Sequence, residues 1–219
     1  MSDSNGWDQF GDLVGGIPLT LELTVASFAI GAVVGVPLVL ARRSQFRLTR
    51  GLAVMIIDLA RGIPMITWLF LIYFALPQAG IRFSQFAAAV LGLGLLTAAM
   101  MAEIYRAGIA AVPKGQWEAG RTLGLSERRL FLDVAVPQAA RVAIPPTATL
   151  LIGLLKDTAI ASTLGVAEIT YRAQIAAQNT YKGLTIFALA AGLYIVLSLP
   201  VAALSRWLDR WLHQKWTVA

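Results

Sequence analysis

Apolar residues dominate five stretches of the chain, and each is about as long as a membrane-spanning helix. The stretches cover residues 13–41, 52–76, 86–105, 145–164 and 184–204. A helix needs roughly 20 mostly apolar residues to cross the hydrocarbon core of a bilayer. The pattern therefore predicts an all-α, polytopic membrane protein with five transmembrane helices. We expect residues 1–219 to form a single transmembrane domain.

The longest polar interval separates the third and fourth apolar stretches, and residues 113–137 within it are patterned. A short helix around Trp117 should end at Gly124, because Gly is the usual residue in a left-handed terminating turn. Ser126 is then suited to cap a second helix over residues 127–136. This predicts a helix, a sharp turn and a helix. An amphipathic segment resting on the membrane surface is the alternative, and periodicity does not separate the two.

Proline and glycine qualify the predicted helices. Pro37 interrupts the first stretch, and Gly62-Ile63-Pro64 interrupts the second. Pro145-Pro146 suits the start of the fourth helix, where the missing proline N–H would be unpaired in any case. Small residues such as Gly31 and Gly35 should let helices approach closely.

Basic residues are distributed unequally between the two sides of the predicted bundle. With five spans, only Arg82, Arg172 and Lys182 fall on one side, and most of the 18 Lys and Arg fall on the other. Basic loops mark the cytoplasmic side, so we expect the N-terminus outside and the C-terminus, including Lys215, in the cytoplasm. The same asymmetry explains the pI of about 10.1 without a nucleic-acid partner.

The composition indicates a membrane protein and excludes several kinds of site. Charged residues make up 14% of the chain and hydrophobic residues 58%, whereas soluble domains carry about 25% charged residues. There is no cysteine, so a disulfide or thiolate metal site is impossible. The single histidine, His213, makes a histidine-based metal site or triad implausible. The segment 1–12 also lacks the basic start of a cleaved signal peptide.

Six charged residues lie within or at the edges of the predicted spans: Glu22, Asp58, Arg61, Glu103, Lys156 and Asp157. A charge at the bilayer centre costs roughly 2.5–3.5 kcal/mol on insertion scales. Such residues either line a path for a charged or zwitterionic solute or form structural pairs. Asp58 and Arg61, three residues apart, can pair on one helix face. Counted from Pro145, Lys156 should lie near the middle of the bilayer, beside Asp157.

A series of short motifs runs through the chain in a fixed order: Arg61-Gly62-Ile63-Pro64, Glu103-Ile104-Tyr105-Arg106-Ala107-Gly108-Ile109, Val112-Pro113-Lys114-Gly115-Gln116-Trp117-Glu118-Ala119-Gly120, Leu123-Gly124, Val136-Pro137-Gln138-Ala139 and Leu155-Lys156-Asp157-Thr158. In type, order and spacing they resemble the permease subunit of binding-protein-dependent ABC importers for polar amino acids. The resemblance covers nearly the whole chain.

The resemblance implies a location and a role for two groups of residues. A cytoplasmic coupling helix seats in an ATPase subunit through Glu118, Ala119, Gly120, Gly124 and Pro137. The substrate path is expected to involve Arg61, Glu103, Lys156, Asp157 and Thr158. The protein would lie in the cytoplasmic (inner) membrane of a prokaryote, surrounded by lipid.

The resemblance also implies partners. An ATPase dimer would bind ATP and Mg²⁺, a second permease chain, identical or homologous, would complete the path, and a solute-binding protein would deliver the solute outside. This chain has no Gly-x-x-x-x-Gly-Lys-Ser/Thr phosphate loop. We therefore expect no cofactor in this chain and no enzymatic activity of its own.

Three positions depart from the family pattern. Gly120 stands where the family usually has Ala, which predicts a looser coupling helix. Ala159-Ile160 replaces Ser-Leu after the Lys-Asp-Thr run, and Met100 replaces a Tyr before the Glu103 motif.

The expected function is ATP-driven import of a polar amino acid or a similar zwitterion, such as a compatible solute. Two alternatives remain: an ion-coupled secondary carrier using Lys156 and Asp157, and a membrane scaffold that docks a cytoplasmic partner. The absence of an inverted repeat disfavours the carrier.

Overall fold

A computed structural model describes residues 6–214, and every regular element in that range is helical. The α-helices are α1 (Gly6–Val14), α2 (Ile17–Arg42), α3 (Arg47–Gly62), α4 (Met65–Phe70), α5 (Gln85–Ala110), α6 (Lys114–Thr122), α7 (Glu127–Arg129), α8 (Val136–Asp157), α9 (Ile169–Thr180) and α10 (Gly183–Gln214). π-Helical segments at Leu71–Ala75 and Leu130–Ala135, and 3₁₀ segments at Leu76–Ala79 and Thr158–Leu164, extend α4, α7 and α8. The predicted all-α, polytopic fold is confirmed.

Four helical stretches within the described range are long and apolar enough to cross a membrane: Gln9–Arg42, Gln85–Ala110, Glu127–Leu164 and Gly183–Leu208. A fifth crossing requires two helices together, Arg47–Gly62 and Met65–Ala79, which meet at 103°. Lys215, counted above among the cytoplasmic charges, lies outside the described residues.

The bend corrects the straight second span predicted over residues 52–76. Ile63 and Pro64 are both extended, with ψ angles of 130° and 141°. A residue before proline is pushed out of the helical region by a clash with the proline ring, so α3 ends at Gly62. Trp68 bridges the break, because its indole Nε1 donates a 3.1 Å hydrogen bond to the Ala60 carbonyl.

The fourth predicted span is also corrected. Its helix begins far before Pro145, with α8 starting at Val136 directly after the π-helical segment. Pro145 and Pro146 lie inside α8, and Pro37 likewise lies inside an uninterrupted α2. An interior proline disfavours a helix by about 3 kcal/mol or more, so packing against α5 and α10 compensates this cost in α8.

α5 is the central helix and packs against α2, α3, α4 and α8. The predicted close approach of α2 is confirmed at two glycines. A β-carbon on Gly31 would lie 2.3 Å from Thr97 Cγ2, and one on Gly35 would lie 2.9 Å from Met101 Cβ. Only residues without a side chain fit this contact, so the α2–α5 pair is fixed by backbone proximity.

The bundle has two ends, and different helices meet at each of them. The C-terminal ends of α2 and α5 and the start of α3 lie near α6. We call this end of the bundle the α6 end. At the opposite end, α1 and α9 close the bundle. Leu13 of α1, Ile169 and Ala173 of α9, and Ile186 of α10 form a buried apolar cluster there. The helix α9 was not predicted, because the sequence analysis treated residues 165–183 as a connection.

Candidate functional site

The predicted coupling segment forms a short helix that ends in a tight glycine turn. α6 ends at Thr122, and Gly124 is left-handed with a φ of 73°. Gly124 N donates to the Arg121 carbonyl at 3.0 Å, and Leu125 N donates to the Gly120 carbonyl at 3.1 Å. This pair of bonds is a Schellman motif, which satisfies carbonyls that would otherwise be unpaired at the helix end.

The segment after the turn is capped as the sequence predicted. The Ser126 hydroxyl accepts a hydrogen bond from Arg129 N at 3.4 Å. Arg121 and Glu127 pair across the turn, with Nε and Oε1 2.9 Å apart. The second helix does not end near residue 136, however: it continues through the π-helical segment Leu130–Ala135 into α8. The capped segment that follows the turn is therefore continuous with a long apolar helix.

Gly120 makes a close contact inside this unit, and the expected looseness of α6 stays a prediction. It is buried, and a β-carbon on it would lie 2.3 Å from Leu130 Cδ1. Leu130 is itself fully buried. Because Gly120 has no side chain, α6 packs directly against the π-helical segment Leu130–Ala135.

The other predicted coupling residues lie on the surface. Glu118, Ala119 and Gly124 are exposed, and so is Pro137 in the first turn of α8. The neighbour of Pro137, Gln138, donates to Gln116 Oε1 of α6 at 3.5 Å and to the Val134 carbonyl at 3.0 Å. The structure therefore places the five predicted residues on one folded unit, with Gly120 facing inward and the rest available to a partner.

The residues predicted for the substrate path are not assembled into one cluster. The side chains of these five residues form no hydrogen bond or ion pair with one another in the described part of the chain; they are Arg61, Glu103, Lys156, Asp157 and Thr158. Thr158 is fully buried, and its hydroxyl donates to the Leu155 carbonyl at 2.7 Å.

Glu103 is held by two arginines at the α6 end. It pairs with Arg42, the last residue of α2. It also pairs with Arg106, one turn along α5, whose Nη2 lies 3.0 Å from Oε2. The Glu103 carboxylate thus connects the C-terminal end of α2 to α5, close to the point where the chain leaves α5 for α6. The Arg42 contact crosses 61 positions, so local spacing did not reveal it.

The pair that the spacing of Asp58 and Arg61 allows is not formed. Both side chains are exposed near the end of α3, and neither forms an ion pair among residues 6–214. Because helix α3 ends at Gly62, Arg61 lies at the bend and is not inside a straight span.

Lys156 and Asp157 lie at the C-terminal end of α8 and are exposed. Their predicted depth was counted from Pro145, and that starting point is wrong because the helix begins at Val136. Within the described range they have no ion-pair partner on another helix.

A family comparison identifies what kind of protein carries this segment. The model of the binding-protein-dependent transport system inner membrane component matches residues 27–214. The chain belongs to this family. The match spans α6, the glycine turn and all ten predicted site residues.

Individual relatives of the permease agree with this assignment. The L-cystine transport system permease protein TcyB of Bacillus subtilis is 39% identical over 204 residues, covering 91% of this chain and 87% of that protein. The arginine transport system permease protein ArtQ of the same organism is 36% identical over 196 residues, covering 89% and 90%.

Solved structures share the fold of the permease. The crystal structure of an amino acid ABC transporter with histidines matches with a TM-score of 0.86 and 34% identity, covering 91% of this chain and 94% of that one. An inward-facing MetNI methionine ABC transporter matches with a TM-score of 0.75, covering 97% and 99%. At 23% identity, the latter shows the fold alone.

A buried acid at the opposite end of the permease was not predicted from the sequence. Glu168 is fully buried and caps α9, with Oε1 accepting from Tyr171 N at 2.7 Å. Its Oε2 accepts from the Tyr194 hydroxyl of α10 at 2.5 Å. Burial raises the pKa of the Glu168 carboxyl, although the hydrogen bonds from Tyr194 and the backbone oppose this shift.

Two sequence signals could have found this site. Ile169, Ala173 and Ala176 recur at helical spacing and are all buried, which is the pattern of an amphipathic helix. Glu168 precedes the first of them and is flanked by apolar residues. A lone acid at that position is a capping signal.

Proposed function

We propose that this permease is the transmembrane subunit of an ATP-driven importer for a polar amino acid or a similar zwitterionic solute. The observation that carries the proposal is the α6 unit: a short exposed helix, fixed by the Gly124 turn and the Ser126 cap, in a family of binding-protein-dependent transporters. The names of relatives for L-cystine and arginine support the solute class.

In the proposed mechanism, α6 docks on an ATPase that belongs to a partner dimer. That dimer binds ATP and Mg²⁺, and this chain performs no hydrolysis. Glu118 and Ala119 would contact the ATPase, Gly124 would set the direction of the chain, and Gly120 would hold α6 on Leu130. Closure of the ATPase pair then moves α6, and α8 carries that motion into the membrane because it is continuous with the capped segment.

The rest of the assembly follows from the same proposal. The whole chain acts as one transmembrane domain, with α6 and the C-terminus on the cytoplasmic side and the N-terminus outside. A second permease chain and an external solute-binding protein complete the importer, as expected of a binding-protein-dependent system. Arg61, Lys156, Asp157 and Thr158 are proposed to act along the path. For Glu103 its two arginine partners support a structural role instead.

The test is uptake of labelled amino acids into liposomes that contain the permease, its ATPase and its binding protein. We expect uptake to require ATP and all three components. Glu118→Arg and Gly124→Val should each lower uptake about tenfold or more per ATP hydrolysed while the amount of permease in the membrane stays the same. Substitution at an exposed position such as Glu118 usually changes stability by no more than about 0.5 kcal/mol.

Arg82→Glu is the control, because Arg82 is exposed and lies in the connection that precedes α5 at the opposite end. Arg82→Glu should give the same uptake per ATP hydrolysed as the wild type. Wild-type coupling in both α6 variants would contradict the docking role. Uptake driven by an ion gradient without ATP would contradict the importer and favour a secondary carrier.

A further inference from the structure

A large apolar groove runs along the bundle toward the α6 end, between α2, α5, α8 and α10. Its volume is about 760 Å³, within the range of cavities that hold drug-sized ligands. The rim residues Leu40 and Leu204 are 50% and 55% exposed, so the groove is open along its length. Residues from each wall include Val36, Leu40, Met101, Leu132, Ala140 and Leu204.

The groove wall suits hydrocarbon better than water. Two of its three hydroxyl groups are already bonded inside the bundle. The Tyr105 hydroxyl donates to the Ala32 carbonyl at 3.2 Å, and the Thr147 hydroxyl donates to the Ala143 carbonyl at 2.7 Å. A polar occupant would lose its own hydrogen bonds on entering such a site.

Two arginines lie at the α6 end of the groove. Arg43 is the residue directly after α2, and it follows the lining residues Val39 and Leu40 by four and three positions, so it continues their face of the helix. On the capped segment, Arg128 precedes Phe131 and Leu132 by one turn. Arg43 approaches the capped segment, because its Cζ lies 6.0 Å from the centroid of the Phe131 ring, three residues after Arg128.

Neither arginine is neutralised inside the permease. Both are exposed, and within residues 6–214 neither forms an ion pair with a carboxylate. Glu103 is engaged by Arg42 and Arg106, and Glu127 by Arg121. An apolar groove that ends at two unpaired cations is complementary to a molecule with an apolar tail and an anionic head.

We propose that this groove binds an anionic phospholipid of the leaflet at the α6 end, with an acyl chain along α8 and the headgroup between Arg43 and Arg128. Charge favours this occupant over a second copy of the chain. A copy in the same orientation would bring its own unpaired arginines to the same level of the groove, where like charges repel each other. Basic residues near the surface attract anionic lipids by about 1 kcal/mol each.

The test measures lipid binding to the purified full-length chain with chain-spin-labelled phosphatidylglycerol and phosphatidylcholine. Electron paramagnetic resonance reports the fraction of each lipid that is immobilised by the protein. We expect the groove of the wild type to prefer phosphatidylglycerol by about thirtyfold. R43Q/R128Q should abolish the preference, and A140F should reduce immobilisation of both lipids by filling the groove.

Two matched variants serve as controls. R47Q/R50Q removes the same charge from exposed residues of α3 near the same end, and it should keep the lipid preference. V33F adds the same ring to an exposed α2 position outside the groove lining, and it should leave immobilisation unchanged. If R47Q/R50Q lost the preference for phosphatidylglycerol as completely as R43Q/R128Q, the preference would depend on net charge alone. That result would overturn the proposal.

The natural chain has no cysteine, so one engineered thiol can report a protein occupant. A140C should form no disulfide between two copies under oxidation and should be labelled by a lipid-soluble thiol reagent. Complete disulfide formation between two copies would show that the groove is a permease–permease contact, and the lipid proposal would then fail.

Discussion

At the scale of single residues, the contact between Gly120 and Leu130 shows how the coupling helix is held. α6 is short and polar, so it has little apolar surface of its own to bury. It depends on one close approach, where the leucine side chain occupies the space that a β-carbon would need. The glycine lowers intrinsic helix stability but lets α6 pack directly on the segment that leads into α8.

Gly120→Ala is expected to weaken the seating of α6 by about 1 kcal/mol. Overpacking costs about 1–3 kcal/mol, and the better helix propensity of alanine returns up to about 1 kcal/mol. Hydrogen–deuterium exchange of residues 114–123 should become faster, and adding Leu130→Val should restore the slow exchange. Gly115→Ala is the control, because nothing lies within 4 Å of a β-carbon there. Slower exchange in Gly120→Ala alone would refute the close-contact role.

At the scale of the elements, buried polar pairs connect helices that are distant in sequence. Glu103 ties the end of α2 to α5 at the α6 end. Glu168 ties the start of α9 to α10 at the opposite end. The two acids differ in the groups that compensate their negative charge. Glu103 has two cations, whereas Glu168 has only hydrogen-bond donors among its described contacts. Glu168 is therefore the acid whose protonation should matter for stability.

Stability should depend on pH through Glu168. Because burial raises its pKa in the folded protein, the neutral acid contributes stability that is present below the unfolded pKa of about 4.3 and is lost as the pH rises through the folded pKa. Glu168→Gln stays neutral, and it also loses one hydrogen-bond acceptor, which is a constant offset. The melting temperature of the wild type should fall relative to Glu168→Gln between pH 4 and 8. A difference that is constant over this range would show that Glu168 does not titrate as inferred.

At the scale of the whole molecule, the permease has a folded polar unit at one end and a closed cap at the other. Between them, Lys156 and Asp157 lie on the bundle surface at the end of α8, without ion-pair partners in the described chain. Exposed charges at that position suit a water-filled path or a neighbouring subunit. A purely structural pair would instead have a partner inside the bundle.

Lys156→Gln and Asp157→Asn should each change the uptake rate or solute selectivity about tenfold, equivalent to about 1.4 kcal/mol. Assembly with the ATPase should stay at the wild-type level, because these side chains hold no other part of the chain. Uptake in liposomes and co-purification of the ATPase measure the two quantities. Parallel loss of both would assign the charges to assembly rather than transport.

Local sequence predicted those parts of the permease that depend on neighbouring residues. The apolar stretches gave the helical class, Gly124 gave the left-handed turn, and Ser126 gave the cap. Positions three and four residues apart are close on any helix, so such features need no information about the fold. The motif series further indicated the family, because its order and spacing extend over nearly the whole chain.

Tertiary structure decided the features that depend on distant contacts. Proline breaks the chain at Ile63-Pro64 but not at Pro37 or Pro145-Pro146, and the local cost is similar at each. Packing against other helices determines which of these costs is compensated. In the same way, the sequence showed that Glu103 and Gly120 were unusual, but their partners, Arg42 and Leu130, were set by how the helices pack. The sequence determined that the chain forms membrane helices and a capped polar turn, and the packing of those helices determined what each unusual residue contacts.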